Sequence, residues 1–221
     1  MSKAIVFDSK ICIGCGACSS ACKDTHHLSG EPNPPGLNAD SYTVVKNKDG
    51  VFIRNLCRHC LSPACASACP VGALKKTPDG PVIYDENRCI GCRYCFVACP
   101  YGIPRYQWRY KHPLVRKCNF CAELNAKGEQ PACAEICPTG ATKFGEREEL
   151  LAFAKERIKA NPAWYFHNVF GESEAGGSSV LFITNPDIAK KGIIYPATKE
   201  PLPELTEAFI ESVPFVGISV G

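Results

Sequence analysis

The sequence predicts an α+β chain: two small modules of one design, one inserted in the other, then a C-terminal helix and an extended tail. Three observations lead there. Sixteen cysteines, far above ordinary usage, fall into four runs of four with nearly constant spacing. Between those runs lie short β-branched or apolar stretches punctuated by Gly, Pro, Asp and Asn, the pattern of strands and tight turns. Only residues 147–160 carry sustained helical periodicity.

The central run is Cys89-Ile-Gly-Cys92-Arg-Tyr-Cys95-Phe-Val-Ala-Cys99-Pro100. Its spacing is that of the bacterial iron–sulfur run, in which three thiolates hold one [4Fe-4S] cluster and the fourth ligates a neighbouring one. Three closely spaced cysteines let a tight loop wrap one face of a cube with backbone N–H groups aimed at sulfur. The fourth is carried into a helix and points away, and proline after it leaves no N–H to satisfy beside the sulfur cage. A secreted disulfide framework also uses many cysteines, but such scaffolds are short, and Met1 to Asp8 carries no secretory signal. Zinc ribbons use paired knuckles set well apart, not four ligands in one loop. Iron–sulfur chemistry therefore fits the spacing best. The formal charge of +3 belongs to the bare chain. Sixteen thiolates on four cores of about +2 add about −8 and bring the loaded protein to roughly −5, a poor match for nucleic acid.

From the N-terminus, Lys3 to Phe7 reads as a strand leading into Cys12-Ile-Gly-Cys15-Gly-Ala-Cys18-Ser-Ser-Ala-Cys22. Lys23 stands where the other runs have proline, and Gly14 and Gly16 suit the tight wrap. His26 and His27 read as surface or interface groups, because the cysteines already make complete sets of four. Residues 29–40 are rich in Pro and Gly and read as a surface loop. Tyr42–Lys46 and Val51–Arg54 flank Asn47-Lys-Asp-Gly50, a hairpin signal. The second run, Cys57-Arg-His-Cys60-Leu-Ser-Pro-Ala-Cys65-Ala-Ser-Ala-Cys69-Pro70, stretches its middle gap and encloses His59, again without a ligand vacancy. Thr77-Pro-Asp-Gly80 is a turn, and Pro81–Tyr84 a strand into the central run, so residues 57–104 form a compact two-run ferredoxin module.

The fourth run, Cys118-Asn-Phe-Cys121 with Cys133-Ala-Glu-Ile-Cys137-Pro138, carries a loop-bearing insertion over Ala122–Ala132. Pro70-Val-Gly72-Ala73, Pro100-Tyr-Gly102-Ile103 and Pro138-Thr-Gly140-Ala141 are three copies of one unit, an internal repeat. The second and third runs are adjacent and pair. The first and fourth then pair around the inserted module. By ligand exchange, Cys12, Cys15 and Cys18 take Cys137, and Cys118, Cys121 and Cys133 take Cys22. Likewise Cys57, Cys60 and Cys65 take Cys99, and Cys89, Cys92 and Cys95 take Cys69. The expected division is 1–56 with 105–146 as the outer bacterial-ferredoxin-like 2[4Fe-4S] module and 57–104 as the inserted one. Residues 147–185 follow as packing helix and strand, and 186–221 as a partner-binding tail.

Four runs in this order, with C-x2-C-x4-C-x3-C-P second and C-x2-C-x11-C-x3-C-P fourth, resemble the four-cluster iron–sulfur (beta) subunits of the dimethyl-sulfoxide-reductase class, formate dehydrogenase above all. The iron–sulfur partners of membrane-linked hydrogenases are similar. The likeness covers residues 3–145 and extends to the glycine-rich strand region at 170–184. It implies four [4Fe-4S] clusters relaying single electrons between a catalytic subunit, of molybdopterin or hydrogenase type, and an acceptor such as a quinone-reactive membrane subunit.

Arg105-Tyr-Gln-Trp108-Arg109-Tyr110-Lys111-His112 mixes bases and aromatics. Charge compensation and packing on a partner explain that better than base stacking. In Arg147–Ala160, Leu150, Leu151, Ala154 and Ile158 make one apolar face, and Pro162 ends the helix. The closing Val213–Gly221 is too short to cross a bilayer, which takes about twenty residues. No nucleotide-binding glycine motif, nucleophile–base pair or open metal position stands out, so the expected role is electron transfer without catalysis. Burial, hydrogen bonds to sulfur, and Lys23, Arg58, Arg93 and Lys117 are the expected levers on cluster potential. A free-standing soluble polyferredoxin is the alternative. With no twin-arginine or hydrophobic signal, the chain is expected in a membrane-associated complex, on the cytoplasmic side or exported with a partner.

Overall fold

The structure is a computed structural model that describes residues 2–191 and 198–203. In chain order it contains β1 (Lys3–Asp8), α1 (Ala17–His26), β2 (Thr43–Lys48), β3 (Val51–Leu56), α2 (Ala64–Ser67), β4 (Leu74–Lys76), β5 (Val82–Tyr84) and α3 (Tyr94–Ala98). Then come β6 (Arg105–Tyr106), β7 (Val115–Arg116), α4 (Ala122–Asn125), α5 (Ala132–Glu135), β8 (Thr142–Glu146), α6 (Arg147–Ala160), β9 (Val180–Ile183) and α7 (Pro186–Lys191).

The organising strand is β1. It pairs antiparallel with β8 and parallel with β9, which makes it the centre of a three-stranded sheet. Its unbroken apolar run suits a position covered on both faces. Ala4 and Val6 point into a core with Leu150, Leu151, Ala154, Ile158, Leu181 and Ile183, the face covered by α6. Ile5 and Phe7 point the other way, into a core shared with Leu56, Phe120, Val180 and Phe182, against which Cys12, Cys18 and Cys137 pack. The two-residue period of a strand thus puts structural packing on one side of the sheet and sulfur ligands on the other. Burying each large aliphatic side chain on the α6 side contributes about 1.5–3 kcal/mol.

The predicted face of α6 is the buried one, and Glu148 and Glu149 in its first turn and Arg157 and Lys159 in its last complement the helix dipole. Asp8, at the end of β1, accepts from the Tyr165 hydroxyl at 2.9 Å and from Arg157 Nε at 2.6 Å, tying the far end of the helix to the sheet. Because β9 lies in the same sheet as β1, residues 147–185 are continuous with the outer part of the chain.

Three two-stranded ribbons complete the strand structure: β2–β3, β4–β5 and β6–β7. The β2–β3 hairpin turns through Asp49 (φ 52°) and Gly50 (φ 82°), both in the left-handed region that a two-residue hairpin turn needs. The sequence assigns no strand to residues 105–116, but Arg105 pairs with Arg116 and Tyr106 with Val115. Burial decides this: Tyr106 and Val115 close over Leu74, Val82 and Cys95. The short helices pack in pairs, α1 against α5 and α2 against α3.

The extended reading of the tail fails at its start. Residues Pro186–Lys191 are helical, with Asn185 Oδ1 accepting from the Ile188 amide at 2.9 Å, proline in the first turn and Ile188 buried. Thr198 and Lys199 return to the body, their carbonyls accepting from the amides of Ala175 and Gly176. The rest of the predicted tail, Val213–Gly221 included, lies outside the described residues. Among the described residues no helix is long and apolar enough to cross a membrane.

Candidate metal centres

None of the sixteen cysteines is in a disulfide, and the fold gathers them into four groups. Cys12, Cys15, Cys18 and Cys137 line one hollow between the first run and the end of the fourth. Cys89, Cys92, Cys95 and Cys69 line another. Cys118 has Cys22, Cys133 and Cys121 as charge neighbours, and Cys22 in turn faces Cys133 and Cys121. Cys65 faces Cys57, Cys99 and Cys60. Each group thus brings together cysteines of two runs. The groups also touch in sequence. Cys18 neighbours Cys133, Cys118 neighbours Cys57, and α2 carries Cys65 of one group and leads to Cys69 of the next.

Local sequence explains how each fourth cysteine is presented. After Cys69, Cys99 and Cys137 the chain reverses through a glycine with φ of 59°, 55° and 65° (Gly72, Gly102, Gly140), whose amide bonds back to the cysteine carbonyl at 3.0–3.1 Å. That turn aims a following amide at the sulfur: Ala73 N to Cys69 Sγ at 3.2 Å, Ile103 N to Cys99 Sγ at 3.5 Å, and Thr142 N to Cys137 Sγ at 3.4 Å. The glycine is required because the left-handed region costs any residue with a Cβ. The first run departs because α1 continues through Cys22 to His26, and a proline at position 23 would break it. Lys23 instead reaches out to bond the Ser29 and Asp40 carbonyls, pinning the 29–40 loop.

The donor chemistry fits clusters better than single ions. Among the described residues no three His, Cys, Asp or Glu side chains converge closely enough to hold one metal ion. Sulfurs spread around a hollow suit a polynuclear core, while one ion needs ligands at about 2.0–2.3 Å. Burial, with neighbouring sulfurs adding to it, pushes the Cys22 and Cys60 thiols up to about 12, and Cys118 well above its ordinary range. Such thiols ionise when a metal core takes the charge. Cys137 goes the other way: burial raises it, but the Thr142 amide and the Thr139 hydroxyl together bring it below its usual value.

A 4Fe-4S dicluster domain family matches residues 48–147, and a 4Fe-4S binding domain family matches 12–24. The chain is 36% identical to the hydrogenase-2 operon protein HybA of Escherichia coli, over 83% of this chain and 70% of that protein. It is 34% identical to the iron–sulfur subunit of the nitrate-inducible formate dehydrogenase of the same organism, over 81% of this chain and 67% of that subunit. A protein of Nitratidesulfovibrio vulgaris is 38% identical over 97% of this chain, which spans 63% of that relative's length. The chain belongs to this family of iron–sulfur subunits. Its cofactors are [4Fe-4S] clusters of the ferredoxin type.

An iron–sulfur subunit must also manage the charge of its clusters, and of the four cations expected to do so Lys117 acts on Cys65. Lys23 spends its ammonium on backbone carbonyls. Arg93 is exposed and lies 4.5 Å over the Trp108 ring. Arg58 is buried 4.1 Å over Phe182. Lys117 is buried, bonded to the carbonyls of Val82 and Cys118. The cation that sequence reasoning missed is Arg54, fully buried on β3 and facing Cys133, Cys18 and Cys118. Burial works against its charge, yet the sulfurs outweigh that and hold its pKa above the ordinary arginine value. An arginine following Val51-Phe-Ile53 in a hairpin strand, three residues before Cys57, was the available signal. Lys76 is a second, with burial lowering it to about 8 although Cys60 and Cys57 pull the other way.

The histidines divide. His59 is buried, its Nδ1 accepting from the Val82 amide at 2.9 Å, which makes it a structural bridge between the second run and β5. His26, read as a surface or interface group, is half-buried with Nε2 3.6 Å from Cys121 Sγ, because α1 packs its last turn over the fourth run. Around the central run, Ile90, Tyr94, Val97 and Trp108 are exposed.

Proposed function

We propose that the chain is a non-catalytic electron-transfer subunit holding four [4Fe-4S] clusters, one in each cysteine group. It would pass single electrons between a catalytic subunit of molybdopterin or hydrogenase type and an acceptor such as a quinone-reactive membrane subunit, within a membrane-associated complex. The observation that carries this reading is the order of the groups. Their neighbour relations run from the Cys12 group through the Cys118 and Cys57 groups to the Cys89 group. The two exposed cysteines, Cys15 and Cys92, belong to the first and last of these. A row with no exposed cysteine in its middle groups and a surface sulfur at either end is the arrangement that a relay between two partners needs.

When bound, the clusters supply reversible one-electron chemistry at potentials set by their surroundings. The chain's own residues do the rest. Cysteines occupy the donor positions, amides such as those of Ala73, Ile103 and Thr142 point at sulfur, and apolar packing by Phe7, Phe120 and Phe182 covers Cys133 and the Cys12, Cys18 and Cys137 side of the first group. In this reading residues 57–104 are a second ferredoxin-like module inserted in the outer one, consistent with the pairing of α2 with α3 and of α1 with α5.

The test is to purify the native complex anaerobically, identify the subunits that co-elute with this chain, and count iron and paramagnetic centres on full reduction. About sixteen irons and four reducible centres per chain, with a catalytic oxidoreductase subunit bound, are expected. Iron well below four per four cysteines overturns the cluster assignment. A monomer that exchanges electrons with several unrelated donors instead supports a free polyferredoxin.

A further inference from the structure

Arg54 is unusual among the buried groups of this protein. Its side chain is among the largest that are fully buried, at 1% exposure. Nε donates to Thr43 Oγ1 at 2.9 Å and one terminal nitrogen donates to Thr142 Oγ1 at 3.2 Å, so β2 and β8 hold the guanidinium from two sides. Among the described residues no carboxylate forms an ion pair with it. A buried cation without a counter-charge is costly. Its charge neighbours are cysteine sulfurs from two different sets: Cys12 and Cys18 of one, and Cys22, Cys118, Cys121 and Cys133 of the other.

We propose that Arg54 is a positioning residue shared by the two outer cysteine groups, one fixed positive charge that raises the reduction potentials of both outer clusters together. The proposal rests on the four-cluster reading above. Its physical basis is simple. Reduction adds one electron to a cluster, and a cation held nearby in a low-dielectric core favours the reduced form. Because the two threonines fix the fork between the groups, one side chain acts on both clusters, and neither can be tuned through it alone.

The test is a redox titration of the intact iron-loaded protein with dithionite as the electron donor, followed by electron paramagnetic resonance. The outer signals are identified as those lost in Cys15→Ala and Cys121→Ala. In Arg54→Met and Arg54→Gln both outer clusters are expected to show at least a tenfold lower ratio of reduced to oxidised form at a given potential, about 59 mV for one electron. The inner clusters are expected to move by less than threefold, and Arg54→Lys, which keeps the charge but gives up the fork, is expected to shift both outer clusters together and by less than the neutral variants do. Unchanged outer potentials at full iron content overturn the proposal, as does movement of one outer cluster alone or equal movement of all four. Should both neutral variants lose iron, Thr142→Val frees one arm of the fork while keeping the charge. Both outer potentials are then expected to shift together by more than threefold, and absent or separate movement overturns the proposal there. Wild-type protein with far fewer than about sixteen irons would fail the four-cluster reading itself, whatever the Arg54 variants do.

Discussion

Two copies of the same tetrapeptide provide a sharp test of how surroundings set the cost of a substitution. Cys12-Ile-Gly-Cys15 and Cys89-Ile-Gly-Cys92 both place glycine in the left-handed region, Gly14 at φ +70° and Gly91 at φ +73°. A Cβ on Gly91 would meet nothing within 4 Å, so Gly91→Ala costs only the backbone strain, about 1–2 kcal/mol. A Cβ on Gly14 would lie 2.2 Å from Cε1 of Phe52, on β3. Relieving that overlap displaces an aromatic ring and adds the overpacking cost of about 1–3 kcal/mol. The assay is the rate at which visible cluster absorption bleaches in a fixed denaturant concentration under anaerobic conditions. At about 1.4 kcal/mol per factor of ten, Gly91→Ala is expected to bleach up to roughly thirtyfold faster than the parent, and Gly14→Ala roughly five- to hundredfold faster again. Adding Phe52→Ala is expected to return Gly14→Ala to the Gly91→Ala penalty, measured against Phe52→Ala alone. Equal rates for the two alanine variants, or no recovery when the ring is removed, would refute the steric reasoning.

Two further outcomes follow from the ligand geometry. Cys22→Ala is expected to abolish the cluster signal associated with Cys118, Cys121 and Cys133 while leaving that of Cys12, Cys15 and Cys18; resonance spectra and iron counts read this directly, and loss of the first-run signal alone would mean uncrossed ligation. Tyr106 places its hydroxyl 3.5 Å from Cys95 Sγ. Removing that hydrogen bond in Tyr106→Phe is expected to lower the potential of the Cys95 cluster by up to about 59 mV, a tenfold change in its redox ratio, and to leave the Cys12 cluster unmoved in the same titration.

Much of the site was legible because it is local. Cysteine spacing, the proline after the fourth cysteine and the glycine two residues beyond that proline act within one turn of chain, and the three copies ending at Ala73, Ile103 and Ala141 share the glycine turn, the third reaching sulfur from Thr142, one residue later. The apolar face of α6 and the Asp49-Gly50 turn belong to the same class, set by side-chain periodicity and by backbone sterics. The sequence reading failed wherever the deciding contact came from a distant segment. Tyr106 and Val115 form a ribbon because Leu74 and Val82 lie beneath them.

Asn185 and Pro186 start a helix that is worth keeping because Ile188 finds a buried place. By itself, then, the sequence determined the chemistry of the ligands, the shape of each cysteine loop and the repeat that generates them. Tertiary structure alone decided which residues govern the electrostatics, since burial is a property of the packed whole. Arg54 looks like an ordinary hairpin residue until β8 and the cysteine loops close over it. Gly14 and Gly91 are indistinguishable until Phe52 is set against one of them.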